Sequence, residues 1–506
     1  MNKKEGMRMK RACGILMHIT SLPSRFGVGT LGKEAYEFVD FLEAAGQTYW
    51  QMLPVNPTGY ADSPYQSSSA YAGNPYLIDL ETLIAEGLLS EAECDLDWGD
   101  DPTRVDYGKL WENRFTVLRK AFSRFDRSEM ADFVRENAWW LDTYALFCAV
   151  KTHFHNAAWY TWPDPAIQDR TPEAVATYTE MLKDEVDFQC FMQYEFDKQW
   201  KPLRAYANAH GVKLIGDIPI YVPHDSADVW AEPDIFLMDE RHNPTLIAGV
   251  PPDYFSELGQ LWGNPIYDWA KHEADDFKWW RRRVSAVATR FDVIRIDHFR
   301  GLESYWGVPF GAADARPGAW YPGPGMKLVR AIKDECPNLP IIAEDLGYLT
   351  PEVKKLLSDS GFPGMRVMQF GFDPCGNSRE LPHNYPVHSV AYTGTHDNTP
   401  IMGWVETAPA ECVAFAVDYL GLNEREGMPF GFARGVLNSV AELAVLQMQD
   451  YLGLGDDCRM NNPSSTGCWR WRAEKKDFAP ELSKRILYYA RMSARAPVTE
   501  KETKKA

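Results

Sequence analysis

The chain contains no apolar run of the roughly 18 residues that a membrane-crossing helix needs. It also lacks any extended lysine and arginine stripe to offset a formal net charge of −18, which excludes the electrostatic attraction that nucleic-acid and anionic-membrane partners require. No CxxC pair occurs. The nine cysteines (Cys13, Cys94, Cys148, Cys190, Cys336, Cys375, Cys412, Cys458 and Cys468) are scattered and odd in number, which argues against a disulfide framework or a zinc knuckle and for reduced thiols in a cytoplasm. Internal repeats and low-complexity tracts are missing as well. The basic start MNKKEGMRMKRACGILMHIT has too short an apolar run, with His18 inside it and no small-residue cleavage site, for a secretory signal. A cytoplasmic protein is expected, with frayed termini at 1–9 and 498–506.

What is present is bulk and aromatic surface. At 506 residues the chain can form several domains of about 150 residues or one large barrel with insertions. Aromatic residues make up 13%, so ligands that stack on rings are plausible. Short apolar runs at 14–19, 49–55, 213–222, 291–297, 339–347, 365–372 and 390–398 read as strands, and helical patterns separate several of them. After Gly32, residues Ala35, Phe38, Val39, Leu42 and Ala45 fall at helical spacing before Gly46 ends the run. Such alternation predicts a parallel α/β sheet. Between 85 and 205 long helical stretches replace it and read as a helical insertion, and the Pro/Gly-rich stretch 309–325 reads as a surface loop.

Most of these strand candidates end in charged or polar residues: Asp217, Asp297, Glu344, Asp373, then His396 with Asp397. In parallel α/β folds the carboxyl ends of the strands face the ligand crevice. The segment VIRIDHFRG (293–301) carries an arginine and an aspartate two residues apart on an otherwise apolar strand. Strand alternation puts Arg295 and Asp297 on one face and Ile294 and Ile296 on the other. A buried charge is costly unless paired, so the pair is either a structural ion pair or the start of a reaction centre. Glu344 and Asp397 favour the second reading, because glycoside hydrolysis needs two carboxyl groups flanking the bond, roughly 5 Å apart in the retaining case, and a third acid can hold substrate hydroxyls. For the acid in IIAEDLG, alternation leaves Glu344 and Asp345 open.

Other signals have plainer readings. His396 lacks a companion ligand, so hydrogen bonding is expected of it rather than metal binding. Gly27-Val28-Gly29-Thr30-Leu31-Gly32 spells GxGxxG ahead of a helix, yet TSLPSRF separates it from the preceding strand and no acid ends the next one, so it reads as a flexible turn. The stretches 57–76 and 249–269 mix rings with Gly, Pro, Ser and Asn, the composition of ordered loops.

RIDHFRG, AEDLG and THDN, in that order on presumed strands, resemble the α-amylase clan of (β/α)8-barrel enzymes. SLPSRFGVGTLG (21–32), DSPYQSSSAYAGNPYLIDL (62–80), GDIPIYVPHDSADVW (216–230), GVPPDYFSELGQLWGNPIYDW (249–269) and RMNNPSSTGCWRWR (459–472) narrow the resemblance to the 4-α-glucanotransferases, or amylomaltases, of glycoside hydrolase family 77. The resemblance implies a single catalytic TIM barrel over 10–500, interrupted by the helical insertion 85–205 and by a loop over the cleft at 245–270. It also implies a retaining transfer between α-1,4-glucans, with Asp297 as nucleophile, Glu344 as acid and Asp397 fixing the distorted ring. Arg295 and His396 then stand beside the nucleophile and the reacting sugar, Tyr65 stacks under that sugar, Asp217, Trp262 and Asn461 bind sugars, and Tyr254 and Phe255 form the tip of the cleft loop. Maltooligosaccharides would be donors, and glucose or maltooligosaccharides acceptors, with no cofactor and no metal. One departure stands out: Cys468 occupies a position where the family commonly has asparagine. An amylase-like hydrolase with the same acids, and a catalytically silent carbohydrate-binding protein, are the rival readings.

Overall fold

The computed structural model describes residues 10–252, 256–463 and 465–497. Tyr254, Phe255 and the two termini expected to fray lie outside them. The twelve strands among the described residues are β1 (Ala12–Leu16), β2 (Tyr49–Gln51), β3 (Lys213–Ile218), β4 (Leu246–Val250), β5 (Gln260–Pro265), β6 (Val293–Ile296), β7 (Ser304–Pro309), β8 (Ala319–Pro322), β9 (Ile341–Ala343), β10 (Gly364–Val367), β11 (Ser389–Tyr392) and β12 (Leu443–Gln447).

Eight of them close into one barrel in the order β1-β12-β11-β10-β9-β6-β3-β2, with all eight pairings parallel. These strands are buried almost throughout, as a sheet covered on both faces must be. The helix Lys33–Ala44 buries Ala35, Phe38, Val39, Phe41 and Leu42, the face its spacing predicts, and Gly46 follows at φ 66°. Long helices fill the connection between β2 and β3, among them Tyr107–Arg124, Ala131–His153 and Lys183–Ala209. No helix among the described residues is long and apolar enough to cross a membrane.

Two features differ from the sequence reading. The eighth barrel strand, β12, was not among the seven strand candidates: its run LAVLQ passes directly into the helix Met448–Leu452, and periodicity does not separate a short buried strand from a buried helix. The stretch 309–325 is not wholly loop, because β8 lies within it, pairing with β7 in a second, antiparallel sheet ordered β5-β4-β7-β8. Proline is tolerated there because β8 is an edge strand and Pro322 is its last residue.

The GxGxxG glycines are required by close packing. A Cβ on Gly29 would lie 1.8 Å from the Ile19 carbonyl oxygen, and one on Gly32 would lie 2.2 Å from the Asp79 carboxyl carbon.

The barrel seam at the start of β1 and β12 is held from below by Arg495, only 2% exposed. Its Nε donates to the carbonyl of Leu437 (2.6 Å), Nη1 to those of Ala12 (2.8 Å) and Glu442 (3.2 Å), and Nη2 to those of Ser439 (3.1 Å) and Ala441 (2.9 Å). Arg495→Met removes five hydrogen bonds, although Arg11 still donates to the carbonyls of Leu437 and Ser439 and the Ala12 N–H to that of Glu442, and should lower unfolding stability by roughly 3–5 kcal/mol in denaturant titrations, with Arg495→Lys intermediate. A loss under about 1 kcal/mol would show that the seam does not depend on this side chain.

Candidate active site

The parallel register of β3 and β6 sets Asp217 directly beside Arg295. Arg295 is 3% exposed inside the barrel, and its guanidinium bridges two carboxylates: Nη1 lies 2.5 Å from Asp217 Oδ2, and Nη2 lies 2.8 Å from Asp297 Oδ1. The Tyr65 hydroxyl donates to the same Asp217 oxygen at 2.8 Å. Burial pushes the Asp217 carboxyl up to about 7, with Arg295 and Tyr65, both donating to it, opposing that push. The second carboxylate is at the mouth of the barrel: the Asp297 side chain is 29% exposed, whereas that of Asp217 is fully buried.

After Asp297 the chain turns sharply through His298, in the left-handed region at φ 54°. The turn aims the His298 backbone N–H at Glu344 Oε2 (2.8 Å), and the Leu346 N–H reaches Oε1 (2.7 Å). Glu344 and its neighbour Asp345 point to different partners. Asp345 is 1% exposed and accepts from the Met365 N–H at 2.6 Å, with Arg366 Nη1 3.1 Å from its Oδ2. Glu344 instead faces the nearby charges of Asp297 and Arg295. Desolvation first, and the Asp297 charge second, push its carboxyl up to about 7. The site therefore sets a carboxyl able to donate a proton near neutrality beside another, hydrogen-bonded to arginine at the barrel mouth.

A second cluster closes the other side. The Tyr65 ring stacks on His396 with centroids 5.1 Å apart and planes 7° apart, and Trp469 tilts against both. His396 Nε2 lies 3.2 Å from Asp397 Oδ1, which also accepts from Asn461 Nδ2 at 2.6 Å. Burial lowers the pKa of His396, so the ring is neutral there. Arg459 fixes the turn by donating to the Asp397 carbonyl and, at 2.7 Å, to the Asn461 carbonyl. Cys468 sits behind this loop: its sulfur accepts from the Asn462 N–H at 3.2 Å, taking an acceptor role that an asparagine side chain would also fill.

Trp262, on β5, meets the His298 ring edge to face at 4.8 Å, and Gln66 Nε2 lies 3.4 Å from its carbonyl. The structure thus gathers Tyr65, Asp217, Arg295, Asp297, His396, Asp397 and Asn461 in one connected network, and Glu344 and Trp262 join it through His298. Asp373, read as another strand-end acid, is exposed beyond the turn Met368–Gly371 and takes no part. Sequence reasoning did not single out His298, Trp469 or Arg459. The first carried a signal in its position directly after Asp297; the left-handed φ of Trp469 (67°) has none in sequence.

Comparison with known proteins agrees with this geometry. A family model described as 4-alpha-glucanotransferase matches residues 17–477. The 4-alpha-glucanotransferase of Clostridium butyricum is 47% identical over 486 residues, covering 95% of this chain and 100% of that protein. That of Thermus thermophilus is 45% identical over 510 residues, covering 98% of this chain and 100% of that one. Among solved structures, an amylomaltase from Streptococcus agalactiae in complex with acarbose superposes with a TM-score of 0.94 at 43% identity, over 96% of this chain and 100% of that one.

Glu344 should carry a proton that is lost near neutrality. Difference infrared spectroscopy is expected to show a protonated carboxyl band fading as pH rises through about 7, and to show that band missing in Glu344→Gln. A band unaffected by the substitution would place the proton on another group.

Proposed function

The chain belongs to the 4-α-glucanotransferases of glycoside hydrolase family 77 and has their activity, and we propose that it transfers glucan segments by a retaining double displacement centred on Asp297 and Glu344. The carrying observation is the Arg295 bridge, which holds the Asp297 carboxylate at 2.8 Å at the barrel mouth, beside a Glu344 whose carboxyl is pushed up to about 7. Asp297 attacks C1 of a donor glucose while the C1–O4 bond breaks and the Glu344 proton passes to the departing oxygen. The acceptor's 4-hydroxyl then gives its proton to Glu344 and attacks C1, breaking the ester to Asp297. Two inversions return the α configuration.

The remaining roles follow the network. Asp397, held by Asn461 and His396, grips hydroxyls of the distorted ring. Tyr65, stacked on His396 by one face, offers the other to the reacting sugar. Asp217, its side chain fully buried, bears on the sugar through Arg295 and Tyr65, and Trp262 flanks the sugars on the side of His298. Donors are α-1,4-glucans and maltooligosaccharides, and acceptors are glucose or maltooligosaccharides; the complex of the S. agalactiae amylomaltase with acarbose supports the same cleft for binding. Residues 10–500 act as one catalytic barrel, with 85–205 as a mainly helical insertion. The segment 245–270, which contains β4 and β5, serves as the loop of the cleft, and the rings of Tyr254 and Phe255 keep water from the glycosyl-enzyme until a sugar arrives. The nine free cysteines support a cytoplasmic setting.

Incubation with maltotriose tests the reading. Glucose and a ladder of longer chains should form while total reducing ends stay constant, and replacing Tyr254 and Phe255 together by alanine should make reducing ends rise. Reducing ends that rise with the unaltered protein, with only shorter products, would mean hydrolysis.

A further inference from the structure

Three residues past Asp297, Arg300 is 6% exposed, yet among the described residues it forms no ion pair that would explain burying a guanidinium. Its Nη1 donates to the Tyr348 carbonyl at 2.9 Å, its Nη2 to Ser304 Oγ at 3.1 Å, and its Cζ lies 4.0 Å from the centre of the Trp320 ring. Ser304 in turn donates to Glu303 Oε2 at 2.6 Å. One side chain thus ties together the turn after the nucleophile, the edge of the second sheet, and the loop that runs from Glu344 to the helix Pro351–Ser360.

That loop matters because of what it carries. Of the two backbone donors on Glu344, one comes from His298, two residues before Arg300, and the other from Leu346, two residues before the carbonyl that Arg300 holds. Below the loop, Asp345 is anchored by Arg366 and by Arg379, which donates to its carbonyl at 2.9 Å. Above it, Gly347 at φ 78° and an exposed Tyr348 give the backbone little to rest on besides Arg300.

Resting on the assignment of Glu344 as the acid, we propose that Arg300 is a positioning residue that holds the Leu346 and His298 N–H groups on the Glu344 carboxyl. Arg300 touches neither sugar nor reacting atoms in this role. The groups that set the charge at Glu344 are Asp297 and Arg295 on β6, Asp345 beside it and the Leu346 N–H, with Arg366 of β10 and Arg379 neutralising Asp345. N–H donors favour the ionised carboxylate. Releasing the loop therefore raises the Glu344 pKa and misaligns its proton.

Arg300→Met is expected to lower kcat about 10- to 100-fold on maltotriose with KM little changed, because the loss falls on the chemical step. The alkaline limb of the kcat profile should move up by about half a unit to one unit. Arg300→Lys, which keeps the charge over Trp320 and one donor, should restore part of both effects. An alkaline limb at its original pH in a folded Arg300→Met protein would overturn the proposal, whatever happens to the rate. Should the Met variant fail to fold, the Lys variant decides by the same criterion. Glu344→Gln serves as the control: if it retains full activity the acid assignment itself is wrong, whereas an inactive Glu344→Gln with an unmoved limb in the Arg300 variants removes only the role given to Arg300.

Discussion

A single guanidinium inside the barrel, that of Arg295, lies between two carboxylates, and the active site is arranged around the cost of putting it there. An isolated charge in a packed barrel interior costs several kcal/mol after relaxation, on the order of magnitude usual for buried ions. Here Asp217, fully buried across the β3–β6 register, neutralises it from one side, and Tyr65 adds a hydrogen bond to the same carboxylate oxygen. Arg295 then has a second arm for Asp297, which stands at the rim where substrate can reach it. One cation against two carboxylates leaves no counter-charge for a third acid nearby. Glu344, desolvated and facing Asp297, keeps its proton to about pH 7. The raised Glu344 carboxyl thus follows from its burial first and from this count of charges second.

The rest of the fold supplies the geometry that the charges need. Parallel strands deliver Asp217, Asp297, Glu344 and Asp397 to the carboxyl ends of β3, β6, β9 and β11, and only strict register places Arg295 against Asp217. Turns do the finer work. The left-handed His298 presents its N–H to Glu344, and the 459–468 loop, closed by Arg459 and Cys468, fixes Asn461 on Asp397. Cys468 takes part in that closure, its thiol sulfur accepting the Asn462 N–H at 3.2 Å.

Much of this was legible in the residues. Alternation along VIRID put Arg295 and Asp297 on one face, and the acids at successive strand ends indicated one rim. Those inferences work because side-chain direction in a strand is set by local geometry. They stop where local geometry stops. Glu344 and Asp345 were indistinguishable because the strand ends at Ala343, and it is Met365 and Arg366 on the neighbouring β10 that claim Asp345. The strand β12 was hidden by its continuity with an apolar helix, and β8 by prolines and glycines that an edge position tolerates. Trp469 and Arg459 act on residues far along the chain, or through a backbone conformation, that no spacing rule encodes.

The central claim is that Asp297, held by Arg295 at the barrel mouth, forms the bond to the sugar. Mass spectrometry of peptides from protein trapped with a slow fluorinated glucosyl donor tests this directly. A single glycosyl adduct on the peptide containing Asp297, absent in Asp297→Asn, is the result the account predicts. An adduct on Asp397 or Glu344, or one that persists in Asp297→Asn, would contradict it.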